Sequence, residues 1–295
     1  MRVLIVGCGY VGCALGAELA SRGHEVFGLN RAAASDARLA AAGVKPLTAD
    51  ITKPATLVRL PATFDWVVNC VSTTHGGVDD YRAVYLQGTR NLLDWLSPAP
   101  PQKFVYTSST SVYGQTDGSW VDETSPTEPA PDTAKVLVQT EKLLLEAAPG
   151  FPAVILRVAG IYGPDRGYWF KQYLKNEARI EGLGERTLNM IHRDDVVGAI
   201  IPGLERGRPG EIYNAVDDEP VTQLRLFQWL SDRFGKPLPP SVPEPPASER
   251  KRGLSDKRVS NRKLKLELGY QLKYPTFREG FLASEFIPRE TKFLQ

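Results

Sequence analysis

Cysteine is scarce in this chain: three in 295 residues, Cys8, Cys13 and Cys70, all in the first quarter. A small odd number without a paired framework excludes a disulfide scaffold and fits a reducing compartment. No CxxC pair or Cys/His cluster occurs, so no structural metal is expected. Long apolar runs are missing as well. Met1 to Val6 is apolar after one basic residue, as a signal peptide would be. Gly7, Gly9 and Gly12 then punctuate the chain, Glu18 adds a charge soon after, and the run leads into a helix rather than a cleavage site. Nothing approaches the roughly 20 apolar residues of a membrane span, so the expected location is cytoplasmic with no membrane partner. One-sided charge is also lacking. A net charge of +2 offers no electrostatic case for nucleic acid.

What is present is ordinary for a globular enzyme-sized chain: 42% hydrophobic and 24% charged residues, enough to bury a sizeable core. Short apolar runs bounded by turn residues predict strands at Arg2–Val6, Glu25–Leu29, Val44–Leu47, Asp65–Cys70, Lys103–Thr107 and Ala153–Arg157. Helical patterns lie between them, at Val11–Ser21, Asp36–Ala42, Asp79–Leu96 and Thr133–Ala147. This alternation predicts βαβ units and a parallel sheet. Beyond Gly160 the pattern loosens, with helices expected at Tyr168–Lys175, Val196–Glu205 and Thr222–Phe234. Lys236–Ala247 is proline-rich and is expected to be a surface loop. From Ser241 onward the chain is net basic, either a solvated face or a surface for an anionic substrate.

The first strand runs into Gly7-Cys8-Gly9-Tyr10-Val11-Gly12, a GxGxxG placed between a strand and a helix. The first glycine permits the tight turn, the second lets backbone approach a pyrophosphate, and the third lets helix pack on strand. The free N–H groups near Tyr10 and Val11 then face the phosphates. A tight turn without a ligand is the competing reading. The second strand ends in Leu29-Asn30-Arg31. No carboxylate stands there to repel a 2′-phosphate, and Arg31 either pairs with one or is a solvated loop residue. NADP is therefore the favoured cofactor, with NAD as the alternative. The fold class expected is α/β: a Rossmann-type doubly wound parallel sheet over 1–160, completed by later segments, and a smaller mixed α/β substrate lobe over 161–295 interleaved with it.

Further segments carry a resemblance: Gly88-Thr89-Arg90-Asn91-Leu92-Leu93, Ser108-Ser109-Thr110-Ser111-Val112-Tyr113-Gly114, Leu156-Arg157 through Gly163-Pro164, Ile191-His192-Arg193-Asp194-Asp195-Val196 and Tyr213-Asn214-Ala215. Together these resemble extended short-chain dehydrogenase/reductases of the nucleoside-diphosphate-sugar epimerase/dehydratase type, over nearly the whole chain. The resemblance implies that Asp50-Ile51 borders the adenine and Val71-Ser72 the loop beside the cofactor. It also implies a Ser/Thr that hydrogen-bonds the reacting oxygen, here Ser109, and a Tyr-x-x-x-Lys pair that moves the proton. Registered on Glu141, the Tyr and Lys slots hold Thr133 and Leu137, and no Tyr occurs from Gln115 to Phe151. A supporting Asn of the family is replaced by Tyr85. Thr133 is too weak an acid to stand in, and Lys135, two residues on, points elsewhere around the helix.

Few other groups offer chemistry. Ser109 is a catalytic hydroxyl or a strand-end cap. Tyr113 is the best-placed phenol or a structural one. His75, after the fourth strand, is a base with a useful intrinsic pKa, and His192 is a core histidine or a substrate contact. Arg166, Trp169 and Arg193 are candidates for a substrate pocket at the lobe boundary, and Cys70 is expected to be buried and inert. Two readings result: an NADP-dependent reductase or epimerase/dehydratase-like enzyme with non-standard acid/base chemistry on a small-molecule substrate, or a non-catalytic dinucleotide-binding redox sensor or scaffold. The resemblance also implies a homodimer through the helices Asp79–Leu96 and Thr133–Ala147.

Overall fold

The computed structural model describes residues 1–73, 76–244 and 255–283. Seven strands form one parallel sheet: β1 (Arg2–Val6), β2 (Glu25–Asn30), β3 (Val44–Thr48), β4 (Trp66–Asn69), β5 (Lys103–Ser109), β6 (Ala153–Val158) and β7 (Ile212–Ala215). The spatial order is 3-2-1-4-5-6-7, with β1 between β2 and β4. The chain therefore reverses its direction of travel across the sheet at β1/β4, and the glycine loop leaves β1 at that point. In open α/β sheets such a switch opens a crevice at the carboxyl ends of the strands.

Strand side chains alternate between the two faces. Val3 and Ile5 join one buried cluster with Val105 and Leu156, while Leu4 and Val6 join the other with Phe104, Tyr106 and Ile155. Because both faces are covered, the strands inside the sheet read as nearly continuous apolar runs, and only the edge strand β3 is largely exposed. Helix α1 (Tyr10–Ser21) packs on the first face, where Leu15 and Leu19 are fully buried. Helix α2 (Asp132–Ala147) buries Val136, Leu137, Glu141 and Leu144 against the sheet. Helix α3 (Arg193–Arg206) buries Val196, Ile200 and Leu204.

A third cluster lies outside the sheet. Tyr162, Phe170, Tyr173, Phe227, Leu230, Phe277 and Phe281 form an aromatic-rich core from segments far apart in sequence, with Phe170 stacked on Phe281 at 5.0 Å between ring centroids.

Two elements depart from the sequence-based expectation. The stretch 78–96 is not one α-helix: Val78–Tyr81 passes into a π-helical segment, Arg82–Gln87, before Gly88–Leu96. Such insertions leave no hydrophobic-period signature, and they are frequent at functional sites. In the described part of the proline-rich loop, Ser241–Val242 pairs in parallel with Ile180–Glu181. The two prolines before Ser241 fix the chain in an extended form and leave these N–H groups free to pair. The end of that loop, residues 245–247, lies outside the described residues.

Candidate active site

At the carboxyl ends of β1, β2, β4, β5 and β6 a cleft of about 1000 Å³ opens. It runs from the glycine loop to the wall formed by Arg166, Trp169, Arg186 and Lys257. Its first part is shaped by backbone. Gly7 has φ +90°, a conformation L side chains rarely adopt. A Cβ on Gly12 would stand 2.3 Å from the Gly7 carbonyl oxygen, so helix and loop fit only without one. At Gly9, which lines the cleft, a Cβ would meet nothing within 4 Å. Gly9 thus offers open space facing the helix start. Helix α1 begins with no side-chain cap, so its first N–H groups are available to an anion, aided by the helix dipole. These features fit the pyrophosphate of a dinucleotide.

The rim of this part is braced by side chains. Asn30 Oδ1 accepts the Cys8 N–H at 2.9 Å, fixing the end of β2 to the glycine loop. Arg31 is exposed at the cleft edge. Asp50 Oδ1 accepts from the Thr52 N–H at 3.0 Å and from its hydroxyl at 2.7 Å, which orients the carboxylate. Tyr10, Val11, Ile51, Val71 and Ser72 complete this lining. The Tyr10 hydroxyl donates to the Pro164 carbonyl at 2.8 Å, and its ring lies 5.1 Å from the Arg166 guanidinium and 5.3 Å from that of Arg193. Tyr10 therefore ties the glycine loop to the loop after β6.

At the end of β5, Ser109 and Thr107 line the cleft. Ser109 Oγ accepts the Ser111 N–H at 3.1 Å, capping the short turn after the strand. Among the described residues its hydroxyl hydrogen has no acceptor, which leaves it available to a substrate oxygen. Tyr113 is different. It is fully buried; its hydroxyl donates to Asn214 Oδ1 at 2.8 Å and accepts from Arg157 Nη1 at 2.9 Å. Arg157 in turn forms an ion pair with Glu141 at 2.8 Å, and Ser108 Oγ donates to Glu141 at 2.6 Å. Burial pushes the Tyr113 phenol up, against the pull of Arg157. Tyr113 borders the cleft, but its hydroxyl is turned into a buried network with Asn214 and Arg157. On α2, Thr133 and Leu137 line the cleft.

The remaining candidates separate. Arg166 and Trp169 line the cleft. His192 stands behind the wall, 1% exposed, where its Nδ1 accepts the Asp194 N–H at 3.1 Å and caps α3. Burial holds its imidazole at about 4, and its Nε2 has no partner among the described residues. Arg193 does not itself line the cleft; it pairs with Asp194 and lies over the ring of Tyr10, which does. His75 lies outside the described residues. Cys70 borders the cleft with its thiol on the Gly7 carbonyl at 3.5 Å. The described cysteines are all free thiols.

Two lining groups were not among the candidate site residues read from the sequence, although Tyr85 stands where the family has a supporting Asn. Tyr85, in the π-helical segment, lines the cleft and packs at a tilt against Tyr81, 4.8 Å between ring centroids; burial pushes its phenol up to about 12. Lys257, 4% exposed, lines the opposite wall. Lys257 carries no local signal, because packing between distant segments makes it a site residue. Among the described residues no group of three or more His, Cys, Asp or Glu side chains is placed to hold a metal ion, and no helix is long and apolar enough to cross a membrane.

Comparison with known proteins places this geometry. The profile of the NAD dependent epimerase/dehydratase family matches residues 3–215. Protein YeeZ of Escherichia coli strain K12 is 29% identical over 281 residues, 93% of this chain and 96% of YeeZ. Human dTDP-D-glucose 4,6-dehydratase is 32% identical over 180 residues, 56% of this chain and 51% of that protein. The crystal structure of DesIV, a dTDP-glucose 4,6-dehydratase from Streptomyces venezuelae with NAD and TYD bound, shares the fold. Its TM-score is 0.81 at 24% identity, over 95% of this chain and 94% of that one.

Proposed function

The chain belongs to the NAD dependent epimerase/dehydratase family, and from that premise we propose that it is a dinucleotide-dependent oxidoreductase acting on a hydroxyl or carbonyl substrate, with NADP favoured over NAD. The dinucleotide would supply hydride transfer at its nicotinamide. The observation that carries the reading is the glycine loop: Gly7 at φ +90°, Gly12 pressed on the Gly7 carbonyl and Gly9 open to the cleft beside an uncapped helix. That cradle continues without interruption into a substrate-sized space.

In this reading Gly9, Tyr10 and Val11 hold the pyrophosphate, Asp50 and Ile51 border the adenine, and Val71 and Ser72 flank the ribose nearer the nicotinamide. Asn30 keeps the end of β2 against the loop, and Arg31 takes the 2′-phosphate. Ser109 hydrogen-bonds the reacting oxygen. Thr133 and Leu137 occupy the positions that a Tyr and a Lys fill in the family's usual pattern, so proton transfer is non-standard. Tyr113 acts as a strut at the cleft border. Arg166 and Trp169 contact the substrate, and a sugar nucleotide is the class supported by the dehydratase relative. The division into 1–160 and 161–295, pairing of two copies through the helical segments 78–96 and 132–147, and a cytoplasmic setting suggested by the free thiols belong to the same proposal.

A titration of NADPH and NADH into the wild type and Arg31→Glu tests the cofactor assignment. The wild type is expected to prefer NADPH by about tenfold or more, the worth of one charge-assisted contact, and Arg31→Glu to lose that preference. Equal affinities in the wild type would refute it. The locked Tyr113 phenol favours one alternative, a non-catalytic redox sensor that binds NADPH but oxidises it with no carbonyl compound.

A further inference from the structure

The segment entering the short strand Arg258–Val259 runs along the far wall of the cleft. Its side chains alternate, as in any extended chain. Ser255 and Lys257 line the cleft. Asp256 and Arg258 point the other way: Asp256 Oδ1 accepts the Thr187 N–H at 3.0 Å, and the Arg258 guanidinium donates to the Gly118 carbonyl. The backbone is pinned on both sides. The Asp256 N–H donates to the Gln115 carbonyl at 2.9 Å, Asn189 Nδ2 donates to the Lys257 carbonyl at 2.9 Å, and the Val259 N–H donates to Asn189 Oδ1 at 2.9 Å. Gln115 comes directly after Tyr113-Gly114, and the Asn189 carbonyl accepts the Gly160 N–H at 3.1 Å. Lys257 is thereby fixed beside the chain leaving β5 and the chain leaving β6, the side of the cleft that holds Ser109.

Lys257 is 4% exposed, and no carboxylate among the described residues pairs with its ammonium. A buried cation without a partner is costly. Burial holds this amine at about 8, with Asp256 pulling it only partly back. Several other titratable groups at or near the cleft are committed or unsuited, among them Tyr85, whose phenol burial pushes up to about 12. The Tyr10 hydroxyl is given to Pro164, Tyr113 is locked, and His192 caps a helix behind the wall. Lys171 is exposed, with its amine on the Asp165 carbonyl.

We propose that Lys257 exchanges a proton with the reacting oxygen of the substrate, in the post that α2 leaves open; this rests on the cleft being the site of an NADP-dependent oxidoreductase. In carbonyl reduction the carbonyl carbon takes the hydride that the dinucleotide supplies, and the released π pair moves to oxygen. One N–H bond of the Lys257 ammonium breaks and one O–H bond forms. The amine is left neutral, and water returns its proton. In alcohol oxidation the neutral amine takes the hydroxyl proton, the freed O–H pair forms the C=O π bond, and the carbinol hydride would pass to the oxidised dinucleotide.

The test compares the wild type, Lys257→Met and Lys257→Arg, using protein labelled with ¹³C at lysine Cε. The resonance absent from Lys257→Arg is expected to titrate near 8 and to shift when dTDP-glucose is added to the NADP⁺-saturated protein. Both variants are expected to bind NADPH as the wild type does. Lys257→Met is expected to lose about 10²-fold or more in kcat on any carbonyl substrate the wild type reduces, with KM little changed, the usual worth of a proton-transfer group. Lys257→Arg is expected to move the basic limb of the pH profile upward. A midpoint near the ordinary lysine value of about 10.4, a resonance blind to dTDP-glucose, or full turnover in Lys257→Met would overturn the assignment. Failure of the wild type to bind NADPH would instead overturn the reading on which it rests.

Discussion

Two buried cations in this protein are treated in opposite ways. Arg157, 3% exposed, meets Glu141 through three hydrogen bonds and gives its remaining arm to Tyr113. Lys257, 4% exposed, has no carboxylate partner among the described residues and faces the cleft. Burial works against both charges, but the bonds from Glu141 more than offset it at Arg157, whose pKa ends raised, whereas at Lys257 the pKa ends lowered. A satisfied buried charge is a strut. An unsatisfied one retains free energy that a substrate can use, which is why perturbed groups concentrate at functional sites.

The sharpest way to break this contrast is to strip Arg157 of its partner. Glu141→Ala is expected to destabilise the fold by about 3–5 kcal/mol in urea denaturation, because it strands a buried guanidinium. Loss of less than about 1 kcal/mol, the worth of an exposed pair, would mean that the network is not the strut described.

Lys257→Met is expected to do the reverse. The folded-state pKa of Lys257, about 8, lies below the ordinary 10.5, so the unfolded chain holds the proton more tightly. The penalty of burying the cation is complete below pH 8 and is relieved as pH rises toward 10.5. At about pH 7 the variant is expected to be more stable by about 2–3 kcal/mol, with the gap closing above about pH 10. A variant that is less stable at neutral pH would argue for a packing role.

A smaller effect belongs to His192, buried and neutral. Its folded-state pKa of about 4 is below the ordinary 6.5. Its contribution is therefore whole above pH 6.5 and is lost as pH falls toward 4. Relative to His192→Asn, which keeps a capping side chain, the wild type is expected to lose about 2 kcal/mol over that range. Parallel pH–stability curves would refute the buried neutral state.

The two halves of the cleft also differ in how openly the sequence declares them. The glycine loop is written in residue types, because a positive φ at Gly7 and the Cβ-free approach of Gly12 to Gly7 exclude almost everything else. The six strands expected up to Arg157 are all present; five of them are buried on both faces and must be apolar throughout, while the edge strand β3 keeps only Val44 fully buried. The substrate wall leaves no such mark. Lys257 lies in a basic stretch that reads equally well as a solvated face. Only pairing of Arg258–Val259 with Trp120–Val121 and the bonds to Asn189 bury it. Tyr113 carries the local signature of a site residue, yet Asn214 and Arg157, 101 and 44 residues away, decide its role. The π-helical stretch Arg82–Gln87, which brings Tyr85 to the cleft, falls inside a pattern indistinguishable from an ordinary helix.

The most direct measurement is a calorimetric titration of NADPH into the wild type and Gly9→Ala, with thermal melts of both. A Cβ at Gly9 touches nothing in the protein itself, so the melts should coincide while the variant loses about tenfold or more in affinity, some 1.4 kcal/mol. Equal binding by the two proteins, or none by the wild type, would contradict the claim that this loop is a dinucleotide cradle.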